Sequence, residues 1–561
     1  MKYGSWRING YDRDNAVKLV RGGVNPLVAV VLASRGVSDV SAYHTLMQES
    51  VDALHDPFLM KDMDKAAARV SQAIRNNEHV AVYGDYDVDG ITGTCLLAGY
   101  LRTKGIKCDM YIPERLEEGY GVKNLGIERL AKNGVSLIIT VDCGITAVAE
   151  VEFARSLGVE MVITDHHECG DVLPDTAVVN PCRRDCPYPD KLLAGVGVGF
   201  KLICAIEGTD KTEELLNKYG DLVAVGTIAD VMPVTGENRI LIRRGLNLIR
   251  GGSRPGFDRL CAAAGMDRRQ LTVTGVSFTL APRLNAAGRL GNTKAATSLL
   301  LTRYHDVAEQ RANELCSLNR RRQELETEMY NNAMERLERE PPDGAPVVLA
   351  STRWHQGVAG IVASKVAEQY RLPAIMICLK DGKGRGSCRS YGDFNLYDAL
   401  EANSKWLDGF GGHELAAGLT IQEKNIDAFR RGLGEYYRKT VTQPFRSVLK
   451  VDFEVIKPRL LTVENVSALS ELEPCGTGNP RPVLCMKDAE ITSVIPLGGG
   501  RHTKLLVRKW GETYESIIFS KSAEELGTTA GGRLDIAFTP QINEFRGRRS
   551  VQLLLEDVIV K

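Results

Sequence analysis

Between about residues 60 and 250, five short β-rich runs alternate with helical stretches, and this alternation limits the possible folds more than any other feature of the chain. The runs are "HVAVYG", "KCDMYIP", "VSLIITVDCG", "VEMVITDHH" and "TAVVNP". Among them lie "ITGTCLLAGYLRTKG", which stops at Gly105, "NLGIERLAKNG" and "AVAEVEFARSLG", all with helical patterning. Strand–helix–strand units of this kind build a mainly parallel sheet. The carboxyl ends of its strands fall along one edge, where open α/β sheets carry their sites.

Acidic residues sit at those ends. Asp85, Asp87, Asp89 and then Gly90 follow the first run in "GDYDVDG". Asp142 ends the third run, and Asp165, His166 and His167 end the fourth. Asp230, in "VAVGTIADVMP", is a lone acid in an apolar segment and is expected on an equivalent edge. Carboxylates this crowded repel one another unless water screens them or a cation holds them. A calcium loop of the EF-hand type is excluded, because its twelfth position is Leu96, which cannot ligate, and a strand leads in. A phosphatase with a covalent aspartyl-phosphate would leave the later motifs without a role. Oxygen donors with imidazole suit Mn²⁺ or Mg²⁺. This many carboxylates more readily hold two ions than one, and a pair ~3.5–4 Å apart is the arrangement used for in-line phosphate hydrolysis. Cys182 and Cys186, with His166 and His167, form a weaker alternative as a zinc site.

The chain of 561 residues exceeds one core, and three or four domains are expected. Lys plus Arg equals Asp plus Glu at 71 each, which argues against non-specific coating of nucleic acid but not against a local basic groove. No run approaches the ~18 apolar residues of a membrane span. The first twenty residues lack the apolar core of a signal peptide. Thirteen scattered cysteines read as reduced thiols of a cytoplasmic protein. Residues 1–60 are expected to be helical, 61–305 to form the metal-binding body, and 306–340 one long exposed helix acting as a spacer. A second α/β body is expected over 341–442. From 443 to 561, short β-rich runs suit a small barrel of the oligonucleotide-binding kind.

"GDYDVDG", "VDCG", "TDHH" and "GTIADVMP", in this order, resemble the DHH phosphoesterase superfamily. "PRLNAAGRLG", "WHQGVAGIVASKV", "GRGSCRS", "GGHELAAG" and "ELEPCGTGNPRPV" extend the resemblance to its RecJ family, from about residue 80 to 485. The resemblance implies an α/β fold: a DHH parallel-sheet domain joined by a long helix to a DHH-associated α/β domain, followed by an oligonucleotide-binding-type β-barrel. It implies a metal-dependent 5′→3′ exonuclease that hydrolyses single-stranded DNA to 5′ mononucleotides in repair and recombination. Asp87, Asp89, Asp142, His166 and Asp230 match the metal ligands, with Asp85 and His167 as accompanying catalytic groups. Arg115 and Tyr120 match positions at the 5′ end of the strand, and Ser387 and Arg389 a terminal-phosphate clamp. Arg283, Asn285 and Arg289 match strand-contacting positions. Cys475 stands where many relatives carry phenylalanine, a packing difference.

The residues make physical sense of this. A cleft that cleaves an end must grip that end. Gly384 and Gly386 would let backbone N–H groups approach a phosphate beside the planar fork of Arg389. Gly411 and Gly412, before His413, would offer a second such nest. Arg501 and Arg546 are candidate basic surfaces on the barrel. A monomer is expected, with single-strand-binding protein or helicases as candidate partners. The alternative is a DHH-type phosphodiesterase acting on short oligonucleotides or cyclic dinucleotides, for which a barrel is superfluous. A binding-only relative would have lost ligands that are all present here.

Overall fold

The structure, a computed structural model, describes residues 3–115, 118–119, 121–443 and 445–561. Two compact units are present: Ser50–Phe445, and residues 1–49 together with Arg446–Lys561.

In the larger unit the five β-rich runs form β1 (Val80–Gly84), β2 (Cys108–Tyr111), β3 (Leu137–Val141), β4 (Glu160–Thr164) and β5 (Ala177–Val179). Their order is β2-β1-β3-β4-β5 and every pair is parallel. Every residue of β1 and β3 is buried, as a parallel sheet covered on both faces requires. Because β2 lies on one side of β1 and β3 on the other, the connections diverge between β1 and β3 and open a crevice at their carboxyl ends. Helix α1 (Val88–Thr103) leaves that crevice and is buried over most of its length against α2 (Gly195–Glu207) and α3 (Thr212–Ala229). A π-helical turn, Val276–Leu280, runs into α4 (Ala281–Arg289).

Helix α5 (His305–Arg339) spans 35 residues, about 52 Å at 1.5 Å per residue. It is not the exposed spacer its composition suggests. Ala308, Ala312, Leu315, Asn319, Glu326, Met329, Ala333 and Leu337 form one buried stripe. The first three belong to the core of the parallel-sheet body and the last three to that of the second α/β body. Glu326 is paired inside with Arg322 at 2.6 Å and Lys365 at 2.5 Å. The helix is therefore a shared wall whose register fixes one body against the other.

The second body carries β6 (Val347–Ser351), β7 (Ala374–Lys380), β8 (Lys383–Arg389), β9 (Gly409–Gly412) and β10 (Ala416–Gln422), in the order β9-β10-β8-β7-β6. Helix α6 (Gln356–Tyr370) makes the crossover between β6 and β7, the parallel pair.

In the smaller unit, β11 (Leu484–Leu497), β12 (His502–Lys509), β13 (Glu512–Ile518), β14 (Arg533–Phe545) and β15 (Arg548–Val560) run β11-β12-β13-β15-β14, and β14 pairs back onto β11. This is a closed five-strand barrel of the oligonucleotide-binding type. The N-terminal segment differs from the helical expectation. Ser5–Ile8 is a strand, parallel to Val448–Val451. Helices Arg13–Arg21 and Pro26–Ser34 pack Leu19, Leu27 and Leu32 into the same core as Phe453, Ile536 and Phe538. Residues 1–49 thus complete the barrel unit. Among the described residues no helix is long and apolar enough to cross a membrane.

Candidate active site

The crevice between β1 and β3 gathers the acids. Asp85 follows β1 and is buried, with Oδ1 lacking any hydrogen-bond partner. Asp87 caps α1, its Oδ1 accepting from Gly90 N at 3.1 Å. Asp89 lies in the first turn of α1 and is 1 % exposed. Its carboxylate accepts from Gly195 N at 2.6 Å and Val196 N at 2.9 Å, so it caps α2 from outside. That approach leaves no room at residue 195, where a Cβ would lie 2.6 Å from the Asp142 side chain. Asp142 turns off β3 with φ +61°, a left-handed conformation that aspartate tolerates better than most residues.

His166 and His167 follow β4. His166 Nε2 lies 3.1 Å from Asp142, 3.5 Å from Asp230 and 3.8 Å from Asp89. Asp230 arrives differently from the sequence expectation. It ends no strand; it is the residue that terminates α3, brought to the sheet edge by a helix C-terminus. Nothing in an apolar run distinguishes a helix end from a strand end by periodicity alone.

Donor atoms come within 4.8 Å of one another in three sets: Asp85, Asp87 and Asp142; Asp89, His166 and Asp230; and Asp142, His166 and His167. The electrostatics describe a site built for cations. Burial, then Asp87, pushes Asp85 well above the usual carboxylate range. Burial, then Asp89, does the same to Asp142. Asp89 rises to about 7 through burial and Asp87, despite its two backbone donors. Asp230 rises to about 8 through burial and Asp89. Burial, then His167, lowers His166 to about 4, which leaves its imidazole neutral and able to ligate. The orphaned Asp85 oxygen and an all-oxygen-plus-imidazole donor set fit Mn²⁺ or Mg²⁺. The zinc alternative does not hold. Cys182 Sγ donates to Lys191 O, Cys186 Sγ accepts from Lys61 N, and among the described residues no cysteine joins a ligand set.

The sequence reading placed Asp165 at a strand end among the converging acids but assigned it no ligand or catalytic role. Its Oδ2 accepts from Ile145 N at 2.9 Å, and its Oδ1 accepts from His166 N at 2.8 Å and pairs with His167 Nδ1 at 2.8 Å. Burial opposes its ionisation but the His167 contact outweighs it, so Asp165 stays ionised below the usual range. Burial likewise opposes the His167 cation, and Asp165 overrides it, holding His167 at about 9. An acid directly before two histidines, at the end of an apolar run, was the signal available.

A second cluster has the opposite sign. Arg115 lies over the Tyr86 ring, with Cζ 4.9 Å from its centroid. The C-terminus of α4 meets the same segment so closely that a Cβ on Gly288 would lie 2.1 Å from Tyr86 O. Arg289, the next residue, donates to Gly357 O at the start of α6. Burial, then repulsion from Arg115, Arg322 and Arg389, lowers the Arg289 guanidinium to about 10. Burial also lowers Arg389, with Arg115 adding repulsion. Arg322, from α5, was not anticipated; its Nε is buried without a hydrogen-bond partner.

Ser387 and Arg389 lie on β8, Arg389 against Gly360 of α6. Gly384 and Gly386 are no phosphate nest. They pair with Leu379 and Ile377 on β7 and with Ile421 and Leu419 on β10, so the sheet uses their backbone on both sides. Gly411 and Gly412 are on β9, an edge strand with one open side, and His413 N bonds Ala416 O. Arg283 donates to Thr279 O, and Asn285 is partly exposed on α4. Tyr120 lies outside the described residues.

Comparison with known proteins agrees along the chain. The DHH family, N-terminal domain, matches residues 79–227, the DHHA1 domain 344–439 and the RecJ OB domain 451–557. The chain is 37% identical to the single-stranded-DNA-specific exonuclease RecJ of Bacillus subtilis (strain 168), over 99% of this chain and 71% of that protein. It is 35% identical to the RecJ of Escherichia coli (strain K12), over 95% of this chain and 96% of the relative. The crystal structure of RecJ in complex with Mn²⁺ from Thermus thermophilus superposes with a TM-score of 0.84 at 30% identity, covering 99% of this chain and 79% of that one. A crystal structure of exonuclease RecJ bound to manganese gives 0.60 at 37% identity, over 68% and 96%. With a parallel-sheet acidic crevice, a helix-linked second body and a closed barrel all matched in order, the chain belongs to the RecJ family of the DHH phosphoesterase superfamily.

Proposed function

We propose that this protein is a divalent-metal-dependent exonuclease that degrades single-stranded DNA from its 5′ end and releases 5′ mononucleotides. The observation that carries the reading is the juxtaposition, in one compact unit, of a crowded carboxylate–imidazole centre and a crowded arginine cluster. Relatives named as single-stranded-DNA-specific exonucleases support the substrate.

Asp85, Asp87 and Asp142 would hold one ion, and Asp89, His166 and Asp230 a second. Mn²⁺ or Mg²⁺ bound there supplies Lewis acidity at the scissile phosphate and lowers the pKa of attacking water. Asp165 holds the His167 ring in place and favours its protonated form, in which His167 would steady the charge developing on the phosphate. Arg289, Arg389 and Arg115, with Ser387, grip the terminal phosphate. Their planar forks suit a phosphate, and their mutual repulsion in the free protein is relieved when it binds. Tyr120, Asn285, Arg283, Gly412 and His413 are assigned to the strand beyond it. The barrel unit is assigned single-strand binding, by stacking and phosphate contacts.

The test is nucleotide release from single strands labelled at the 5′ or the 3′ end, with Mn²⁺ or EDTA and with Asp142→Ala as control. Immediate release of 5′ label as mononucleotide, with 3′ label retained until late, is expected. Early loss of 3′ label, or release in EDTA, would overturn the reading.

A further inference from the structure

Phe278 is 78 % exposed, the most exposed among the described large hydrophobic side chains, and neither the metal centre nor the arginine cluster uses it. A phenylalanine left in water forgoes the stabilisation of burial, and here it stands in a π-helical turn, a rare backbone form that concentrates at functional sites. That turn packs against α3, the helix that ends in Asp230, and continues directly into α4.

Register gives the side chain a direction. Pro282, Asn285 and Arg289, at intervals of three and four, share one face of α4, and Phe278 precedes that face in the π-helical turn. All four are at least partly exposed, while Leu280, Ala281, Leu284, Ala286 and Ala287 are buried. The stripe ends on Arg289 in the arginine cluster and begins on Phe278, eleven residues or about 16 Å away at 1.5 Å per residue. An aromatic platform at one end of a polar stripe and a guanidinium at the other suit a single strand whose phosphate is held at the guanidinium.

We infer that Phe278 is a stacking platform for a nucleobase of the substrate strand, positioning the strand along α4 so that its end reaches Arg289 and the metal centre. The inference rests on the single-strand exonuclease reading above. At about 3.4 Å per stacked nucleotide, Phe278 contacts the strand roughly five nucleotides from its end, and fewer if the strand is stretched. It is a positioning residue and takes no part in bond cleavage.

The experiment measures KM and kcat with Mn²⁺ for 5′-phosphorylated oligonucleotides of graded length, from two nucleotides to twenty, on the wild-type chain, Phe278→Ala and Phe278→Trp. For the wild type, KM should fall stepwise once the strand is long enough to reach Phe278. Phe278→Ala should lack that step, with KM for the longest strands raised ~5- to ~100-fold, the range for loss of one stacked base, and kcat unchanged. The shortest strands should be handled alike by both. Phe278→Trp should restore the step, and its indole emission should be quenched by the long strand but not by the shortest. Superimposable length curves for wild type and Phe278→Ala would overturn the inference, as would a loss of equal size at every length. If the wild type releases no nucleotide at any length, the exonuclease reading itself falls.

Discussion

The acidic centre and the arginine cluster are one electrostatic device built twice with opposite sign. In the first, burial and like charges drive Asp85, Asp142, Asp89 and Asp230 upward, toward the neutral acid. In the second, burial and like charges drive Arg289 and Arg389 downward. A carboxylate escapes such strain by taking up a proton. A guanidinium cannot do so by losing one near neutral pH, because even Arg289 remains at about 10. The acidic centre therefore has two ways to relax, a proton or a metal ion, and its occupancy depends on pH. The arginine cluster has one, an anion.

The largest effect should come from Asp142→Ala, which removes the one carboxylate that belongs to two of the three donor sets. Mn²⁺-dependent nucleotide release should drop at least ~1000-fold, since several kcal/mol of transition-state stabilisation depend on the ions. Metal-free Asp142→Asn, which keeps a side chain that tolerates the left-handed backbone at this position, should melt higher than metal-free wild type, because one repelling carboxylate is gone. A lower melting point would break the comparison on its acidic side.

Arg289→Ala tests the other side. A charge-assisted contact contributes about 1.5–3 kcal/mol, so kcat/KM on 5′-phosphorylated strands should fall ~10- to ~100-fold. Strands with a 5′ hydroxyl should lose much less. Equal losses on both would show that the cluster does not read a terminal phosphate.

Asp165→Asn should cost about tenfold in activity, within the range for groups that orient metal-site histidines. It should also shift the alkaline limb of the rate profile downward, since the raised His167 pKa depends on the Asp165 carboxylate. An unchanged profile would assign that limb elsewhere.

The smallest effect is on stability. Asp89 at about 7, Asp230 at about 8 and His167 at about 9 all lie above their unfolded values. Raised groups favour the fold at low pH and lose that contribution as pH rises through the folded pKa. His166, lowered to about 4, acts in the opposite sense but has finished by about pH 6.5. Asp89 has given up its contribution by about pH 7, so between pH 7 and 9 the melting point of the metal-free protein should fall through Asp230 and His167, by on the order of 5 °C, and saturating Mn²⁺ should remove the fall. A flat metal-free curve would contradict the account.

Much of the acidic side was legible because it is local. Asp85, Asp87 and Asp89 are written within five residues, and Asp142 and His166 each close an apolar run that became a parallel strand. Asp230 was legible as an anomaly but not in its setting, because a helix end and a strand end look alike in an apolar stretch. Asp165 escaped because its role lies in which atoms it faces. The buried stripe of α5 escaped because it mixes alanine with polar residues such as Asn319 and Glu326, which read as a solvated face. Ser5–Ile8 pairs with a strand more than four hundred residues away, and no local pattern announces a partner at that distance.

By itself the sequence determined the alternation of strands and helices, and with it the edge where acids would meet, because side-chain periodicity and strand-end position are local properties of the backbone. Tertiary structure alone decided that Arg115, Arg289, Arg322 and Arg389 converge, that Gly384 and Gly386 spend their backbone groups on neighbouring strands, and that Phe278 stands in the open at the head of α4. Those outcomes depend on how rigid elements pack at long range, and neither a charge nor a glycine carries in its neighbours any record of what it will face.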